Sequence, residues 1–246
     1  MKRQLFLQAL AESWRIDPEL SQSKGRTIVA CEDRRDTNIA SGYAFGEHLV
    51  VLCDPIHAEA LELILPDTAC TVEQWRAAAQ RRELELVGSA RLLLIDDQRL
   101  DCAPDTTPAL SSGYEFASLD AAAPENRSEL ERLVESLGPE AADDAEIELD
   151  DPDHHAVVVR FGGEPIAYAG AKPWGDMVGW GDIGIAVCAE HRRAGVGAAA
   201  VRTLVGELRD SRIEPLYRHN DDNTASAALA DSVGFAAVSH LSAYRF

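Results

Sequence analysis

The stretch that most constrains the fold runs from Asp182 to Gly197. An apolar alternating segment passes into Arg192-x-x-Gly195-x-Gly197, and the small residues Ala198, Ala199, Ala200 and Val201 follow at once. Alternation specifies a strand, and the glycines mark the turn that ends it. A glycine turn that opens a helix presents the free amides of the first helical turn, and the helix dipole adds partial positive charge. In outline the stretch is an anion site. Gly-x-Gly by itself is equally the mark of an ordinary strand-to-helix turn, so its meaning depends on its surroundings.

Composition narrows the partners. The chain has 246 residues, is 46% hydrophobic and 26% charged, and carries a net charge of -19. Such a balance disfavours nucleic acid and anionic membrane surfaces and suits a cationic or neutral partner. Cys31, Cys53, Cys70, Cys102 and Cys188 are odd in number and scattered, with no Cys-x-x-Cys pair. That pattern fits neither a disulfide framework nor a zinc site, and no metal is expected. Gln4, Gln8 and Glu12 interrupt the segment after Met1-Lys-Arg, which removes the apolar core of a leader peptide, and no apolar run is long enough to cross a bilayer. The expectation is a cytoplasmic protein.

Along the chain, residues 3–15 read as an amphipathic helix and 27–31 as a short strand. Residues 43–53 read as one longer strand stopped by Asp54-Pro55, and 58–65 as a helix. Thr71-Val-Glu-Gln74 has the form of a capping box before a helix through Arg82. Residues 84–95 read as a strand interrupted at Gly88-Ser89. His48 and His57 have no chemical partner at a justified spacing, and Cys53 reads as a core residue. The proline-bearing stretch 101–112 reads as a linker, which divides the chain into a smaller α/β domain, 1–103, and a second domain, 111–246.

The second half reads as strand, helices, three antiparallel strands, helix, strand, helix, strand. Its acidic stretch (Glu140, Asp143, Asp144, Glu146, Glu148, Asp150, Asp151, Asp153) is a solvated face or a cation-attracting rim. Val201, Leu204, Val205 and Leu208 give the helix after the glycine turn a buried stripe, and Gly206 suggests a close packing approach. Asn223 is placed to cap a later helix that stops at Gly234.

Two signatures stand together in one order. Val187-Cys-Ala-Glu-His-Arg-Arg-Ala-Gly-Val-Gly197 resembles the acetyl-coenzyme A loop of GNAT-superfamily N-acetyltransferases, and Asn223-Thr-Ala-Ser226 through Gly234-Phe235 resembles that superfamily's downstream helix. The resemblance covers residues 111–246 and leaves the first hundred unmatched. It implies an α/β (α+β) fold with a mixed, mostly antiparallel sheet flanked by helices, and acetyl-CoA as cosubstrate. It also implies that the amides of Arg193, Ala194, Gly195, Val196, Gly197 and Ala198 cradle the pyrophosphate, beside Arg192. Ile185 and Val187 would pair with the pantetheine arm as an added strand. Asn223 and Ser226 match positions that contact coenzyme A.

Three residues depart from the pattern. Ala189 stands where proline is usual and Ala194 where a basic residue is common, which backbone binding tolerates. Ala230 occupies the position where many members have a tyrosine acting as general acid, so the proton must come from Tyr217, Tyr244 or water. A lysine-like amine costs about 4.6 kcal/mol to deprotonate at pH 7, so a general base helps. Asp182 matches the acidic residue found on this strand in many relatives, with a solvating edge charge as the alternative. The implied activity is acetyl transfer to an amine acceptor, small or on a protein, with a cationic acceptor favoured and room for a homodimer. The alternative is a coenzyme A-binding sensor or scaffold that has lost turnover.

Overall fold

The computed structural model of the protein describes residues 2–19, 23–102, 113–120, 124–147 and 155–246. Residues 103–112, most of the expected linker, lie outside the described residues, as do Glu148, Asp150, Asp151, Asp153 and His154. The chain forms two compact units: Met1–Leu93 with Arg218–Thr224 and Ala237–Phe246, and Leu94–Tyr217 with Ala225–Ala236. The expected division at 103/111 follows the chain linearly, whereas the first of these units draws on residues from both halves of the sequence.

In the first unit, helix α1 (Lys2–Trp14) buries Phe6, Leu7, Leu10 and Ala11, the stripe that its helical spacing specifies. Strand β1 (Gly25–Ala30) runs parallel to β3 (His48–Cys53), β3 is antiparallel to β2 (Ile39–Phe45), and β2 is antiparallel to residues 240–245 of β10 (Phe235–Arg245). The single strand expected over 43–53 is therefore a hairpin. Gly46 adopts φ 71°, a left-handed conformation that lets the chain reverse at Gly46-Glu47. Helices α2 (Ala58–Ile64) and α3 (Val72–Arg81) follow, and α3 opens with the expected capping box. Thr71 N donates to Gln74 Oε1 at 2.7 Å, and Gln74 N donates to Thr71 Oγ1 at 3.5 Å. Strand β4 (Glu85–Ile95) is continuous, not broken at Gly88-Ser89. Ser89 is tied at that point, its Oγ donating to Asp221 Oδ2 at 2.9 Å and its carbonyl accepting from Asp221 N at 3.1 Å.

The core of this unit is organised by Trp75. Its indole is fully buried, donates from Nε1 to Ser242 O at 3.1 Å, and meets Tyr244 edge-on at 5.2 Å. The ring fits because β2 offers Gly42 beneath it; a Cβ there would lie 2.6 Å from Nε1. Successive strand residues point to opposite faces, so Ser41 and Tyr43 face away from Trp75, and Tyr43 packs on Trp14 of α1 with ring centroids 4.6 Å apart. His48 is buried between two hydroxyls, Ser23 Oγ at 3.1 Å from Nδ1 and Thr27 Oγ1 at 3.0 Å from Nε2. Cys53 is fully buried, as expected.

The second unit takes helix α4 (Asp97–Cys102), strand β5 (Tyr114–Asp120) and helices α5 (Pro124–Leu137) and α6 (Pro139–Asp144). Strands β6 (His155–Phe161), β7 (Glu164–Trp174) and β8 (Met177–Val187) follow. Helix α7 (Val196–Asp210), strand β9 (Glu214–Asn220) and helix α8 (Thr224–Val233) complete the order read from the sequence. Strands β5, β6, β7 and β8 pair antiparallel in turn, and β9 joins β8 in parallel. Gly162 and Gly163, at φ 61° and 87°, make the tight turn between β6 and β7. Val201, Leu204, Val205 and Leu208 are buried on α7 as expected. Gly206 differs from expectation: a Cβ there would meet nothing within 4 Å, so no close approach requires it.

Two outcomes follow for the first unit. Replacing Gly42 with alanine drives a methyl into the indole and should cost about 1–3 kcal/mol, measured as a lower urea midpoint. Burial pushes the His48 pKa below its ordinary 6.5, so the unfolded chain binds the proton more readily. Its contribution is complete above pH 6.5 and is lost as pH falls below that value. The His48→Gln protein should therefore show a flatter decline of the urea midpoint between about pH 6.5 and 5 than the parent.

Candidate functional site

The stretch Asp182–Gly197 forms the end of β8, a connecting loop and the start of α7. On one side β8 is paired along its length with β7, from Lys172↔Asp182 to Ala167↔Val187. On the other side the parallel pairing with β9 runs from Trp180↔Glu214 to Ile183↔Tyr217 and stops. Among the described residues, Gly184 to Val187 therefore have no strand partner on that side. Unpaired backbone groups beside an otherwise rigid strand are a place for an extended ligand to add itself.

The loop is fixed from several directions. Cys188 N donates to Ile166 O at 2.9 Å, and Arg192 Nε reaches back to Val187 O at 2.9 Å. His191 is braced by Tyr114, whose hydroxyl lies 3.1 Å from Nδ1, and by Phe161, whose ring centroid is 5.2 Å away. Arg193 adopts φ 62° and Gly195 φ 83°, so the chain turns through two left-handed residues before α7 begins at Val196. Glycine takes that conformation without cost, whereas Arg193 pays about 1–2 kcal/mol for it. The first amide of the helix bonded within the chain is Ala199 N, to Gly195 O at 3.0 Å. Among the described residues, the amides of Arg193, Ala194, Gly195, Val196, Gly197 and Ala198 have no backbone acceptor. Six consecutive donors at a helix N-terminus are the anion cradle that the sequence outlined.

Close packing locks the cradle to its neighbours. A Cβ on Gly197 would lie 2.9 Å from Leu229 Cδ1 of α8 and 3.4 Å from Val187 Cγ2. A Cβ on Gly184 would lie 2.1 Å from the carbonyl oxygen of Ala145, just after α6. Gly184 and Gly197 thus let α6 and α7 approach opposite faces of β8.

Those faces also sort the polar residues. Asp182 shares the face of Gly184, and its cross-strand neighbour Lys172 pairs with Glu146 at 2.8 Å between Nζ and Oε2. Asp182 is 7% exposed. Tyr217 is the register partner of Ile183 and so lies on the other face, where its hydroxyl is 2.8 Å from Ser226 Oγ of α8 and its ring packs on Phe235. Burial, the largest cause, raises the Tyr217 pKa; the Ser226 hydrogen bond opposes this, and the Asp182 carboxylate adds to it. Tyr217 is therefore a neutral phenol that retains its proton. Ala230 is fully buried on α8.

The remaining candidates fall in the first unit. Tyr244 is packed against Trp75 in that unit's core, and Asn223, just before α8, donates its amide to Asn220 O at 3.1 Å. Sequence spacing did not bring Lys172 or Glu146 to Asp182, because Lys172 arrives through cross-strand register and Glu146 through its ion pair with Lys172. Among the described residues no group of three or more His, Cys, Asp and Glu side chains is placed to hold a metal, and no helix is long and apolar enough to cross a membrane.

Residues 119–235 match the family model for the acetyltransferase (GNAT) family. This part of the chain is a GNAT acetyltransferase domain. No curated protein matches the sequence. Among solved structures, the chain is similar to a GCN5-related N-acetyltransferase-like protein from Streptococcus suis 89/1591, at 15% identity and a TM-score of 0.50, covering 70% of this chain and 68% of that one. It is also similar to a GNAT-family acetyltransferase from Colwellia psychrerythraea, at 9% identity and a TM-score of 0.48 over 72% of this chain. A GCN5-related N-acetyltransferase from Kribbella flavida is similar at 19% identity and a TM-score of 0.47 over 69% of this chain. The chain spans 62% of the length of each of these last two proteins. At 15% identity the likeness to the Streptococcus suis protein is one of fold.

The approach of α6 to β8 is testable. Gly184→Ala must push the Ala145 carbonyl aside, so it should lower stability by about 1–3 kcal/mol, read from urea unfolding, while leaving the length of α7 unchanged by circular dichroism.

Proposed function

We propose that residues 111–246 transfer the acetyl group of acetyl-CoA directly to an amine. The observation that carries this proposal is the run of amides from Arg193 to Ala198 without backbone acceptors, set beside the unpartnered edge of Gly184 to Val187. A pyrophosphate needs amide donors and a helix dipole more than it needs particular side chains, and this loop supplies both. An amide-bearing arm needs a strand edge at the adjoining position, and Ile185 and Val187 offer it. Gly195 takes the left-handed turn that presents these amides and Gly197 lets α7 pack against Leu229 and Val187, so the residues present fit the group.

Acetyl-CoA supplies a thioester whose acetyl carbon is open to attack, with a thiol leaving group of ordinary pKa about 8.5. Asp182 takes the proton from the acceptor ammonium, directly or through a water, on the face of the sheet that also carries Lys172 of β7. A backbone amide near Val187 stabilises the developing oxyanion. Tyr217, neutral and paired with Ser226 on the opposite face, is the proton donor in place of the tyrosine that Ala230 lacks. The net charge of -19 and the acids at the end of α6 favour a cationic acceptor in the cytoplasm. Ala230 also supports a second reading, a coenzyme A-binding sensor without turnover.

Titration calorimetry with acetyl-CoA, followed by thiol release over a panel of amines, tests both readings. We expect micromolar-range binding and turnover that Asp182→Asn reduces by about 100-fold without changing acetyl-CoA affinity. Tyr217→Phe should reduce kcat by about tenfold or less, because a thiolate can leave unprotonated. Binding without amine-dependent thiol release would favour the sensor, and absence of binding would remove both readings.

A further inference from the structure

The first unit holds a cation that its own acids leave to neutral partners. Arg26 pairs with Glu62 and Asp67, Arg35 with Glu32, Arg91 with Asp221 and Arg245 with Glu85. Arg34, half-buried in the turn between β1 and β2, makes no ion pair among the described residues. Its Nη1 donates to Ser41 Oγ at 2.8 Å, and it hydrogen-bonds the Tyr43 phenol. Ser41 is 6% exposed and Tyr43 7% exposed, so the guanidinium leans on two neutral oxygens set in the sheet. The chain has 42 acidic residues against 23 lysines and arginines. In such an excess, an arginine fastened to hydroxyls is poorly explained as a stabilising ion pair. Partly burying a cation without a counter-charge costs stability.

The surroundings point to what restores the balance. Ser41 and Tyr43 lie two residues apart on β2 and so share a face, opposite the Gly42 face that receives Trp75. Trp14 packs against the Tyr43 ring at 4.6 Å and supplies an apolar wall. Burial, the largest cause, raises the Tyr43 pKa, with Arg34 and Arg218 pulling the other way. The phenol therefore stays protonated and does not neutralise Arg34. A guanidinium has five N–H donors in a planar fork, and two hydroxyl oxygens leave part of that fork for an oxyanion.

We propose that Arg34, Ser41 and Tyr43 form a binding site for the carboxylate of a small molecule whose apolar part rests against Trp14. The planar fork matches a carboxylate in two parallel hydrogen bonds, and the apolar wall suits an organic anion better than inorganic phosphate. The site uses none of the residues of the amide cradle and does not depend on the acetyl-transfer reading.

The test uses the full chain and calorimetric titration with acetate, benzoate and inorganic phosphate at constant ionic strength. Benzoate binds most tightly, acetate next and phosphate least. Arg34→Gln weakens benzoate by about tenfold or more, and Arg34→Lys by several-fold because the charge remains while the fork is lost. Tyr43→Phe weakens it by a smaller factor. Benzoate raises the Tm of the parent, and Arg34→Gln abolishes that rise. The unliganded Tm of Arg34→Gln stays within about 2 °C of the parent or increases, since removing a cation without a counter-charge need not destabilise. A structural role predicts the reverse: a Tm lowered by more than about 4 °C with benzoate affinity unchanged in Arg34→Lys, which overturns the proposal. Tighter binding of phosphate than of benzoate overturns it, and so does the absence of saturable binding of any probe by the parent.

Discussion

Between β8 and β9 the parallel ladder ends at Ile183 and Tyr217, and the second unit is arranged around that ending. A strand that continues beyond its partner leaves amides and carbonyls that ordinarily cost free energy unless something accepts them. Here the exposed edge is kept rigid by β7 on its other side, and the loop beyond it carries donors in the same direction of travel. Two glycines complete the arrangement. One admits the Ala145 carbonyl against β8, and the other admits Leu229 against the first turn of α7. The cradle is therefore a packing problem as much as an electrostatic one.

The sheet also separates two groups that would interfere if they shared a face. Asp182 looks toward the end of α6, with Lys172 and Glu146 beside it. Tyr217 looks toward α8 and keeps its proton in a buried setting. In the proposed reaction one group must be basic while the other remains acidic, and different environments for two titratable groups are what permit that. One strand's thickness provides the difference without any further device.

Much of this was readable from residues alone, and what was missed shares a cause. The alternation before Cys188, the glycines at 195 and 197 and the stripe of α7 are local patterns, and each appears in the structure where its period placed it. The capping box at Thr71 is likewise local. The hairpin within 43–53 was missed because Gly46 sits in an otherwise strand-forming run, where periodicity does not distinguish one strand from two. Strand β4 was expected to break at Gly88-Ser89 because its tie to Asp221 joins residues 132 positions apart. Lys172 became visible beside Asp182 only through the register of β7 on β8. Information carried by spacing was legible, and information carried by register was not.

The indole of Trp75 donates to a carbonyl 167 positions later in the chain, and β2 takes its second partner from residues 240–245. A ribosome makes β2 long before it makes that partner. Until then β2 has a bare edge, and Gly42 and Trp75 lack the strand that closes over them. Contacts this distant in sequence form late and slowly, and an uncovered strand edge is an invitation to pair with another chain. The growing polypeptide must therefore shield β2 until residues 240–245 emerge and complete the first unit.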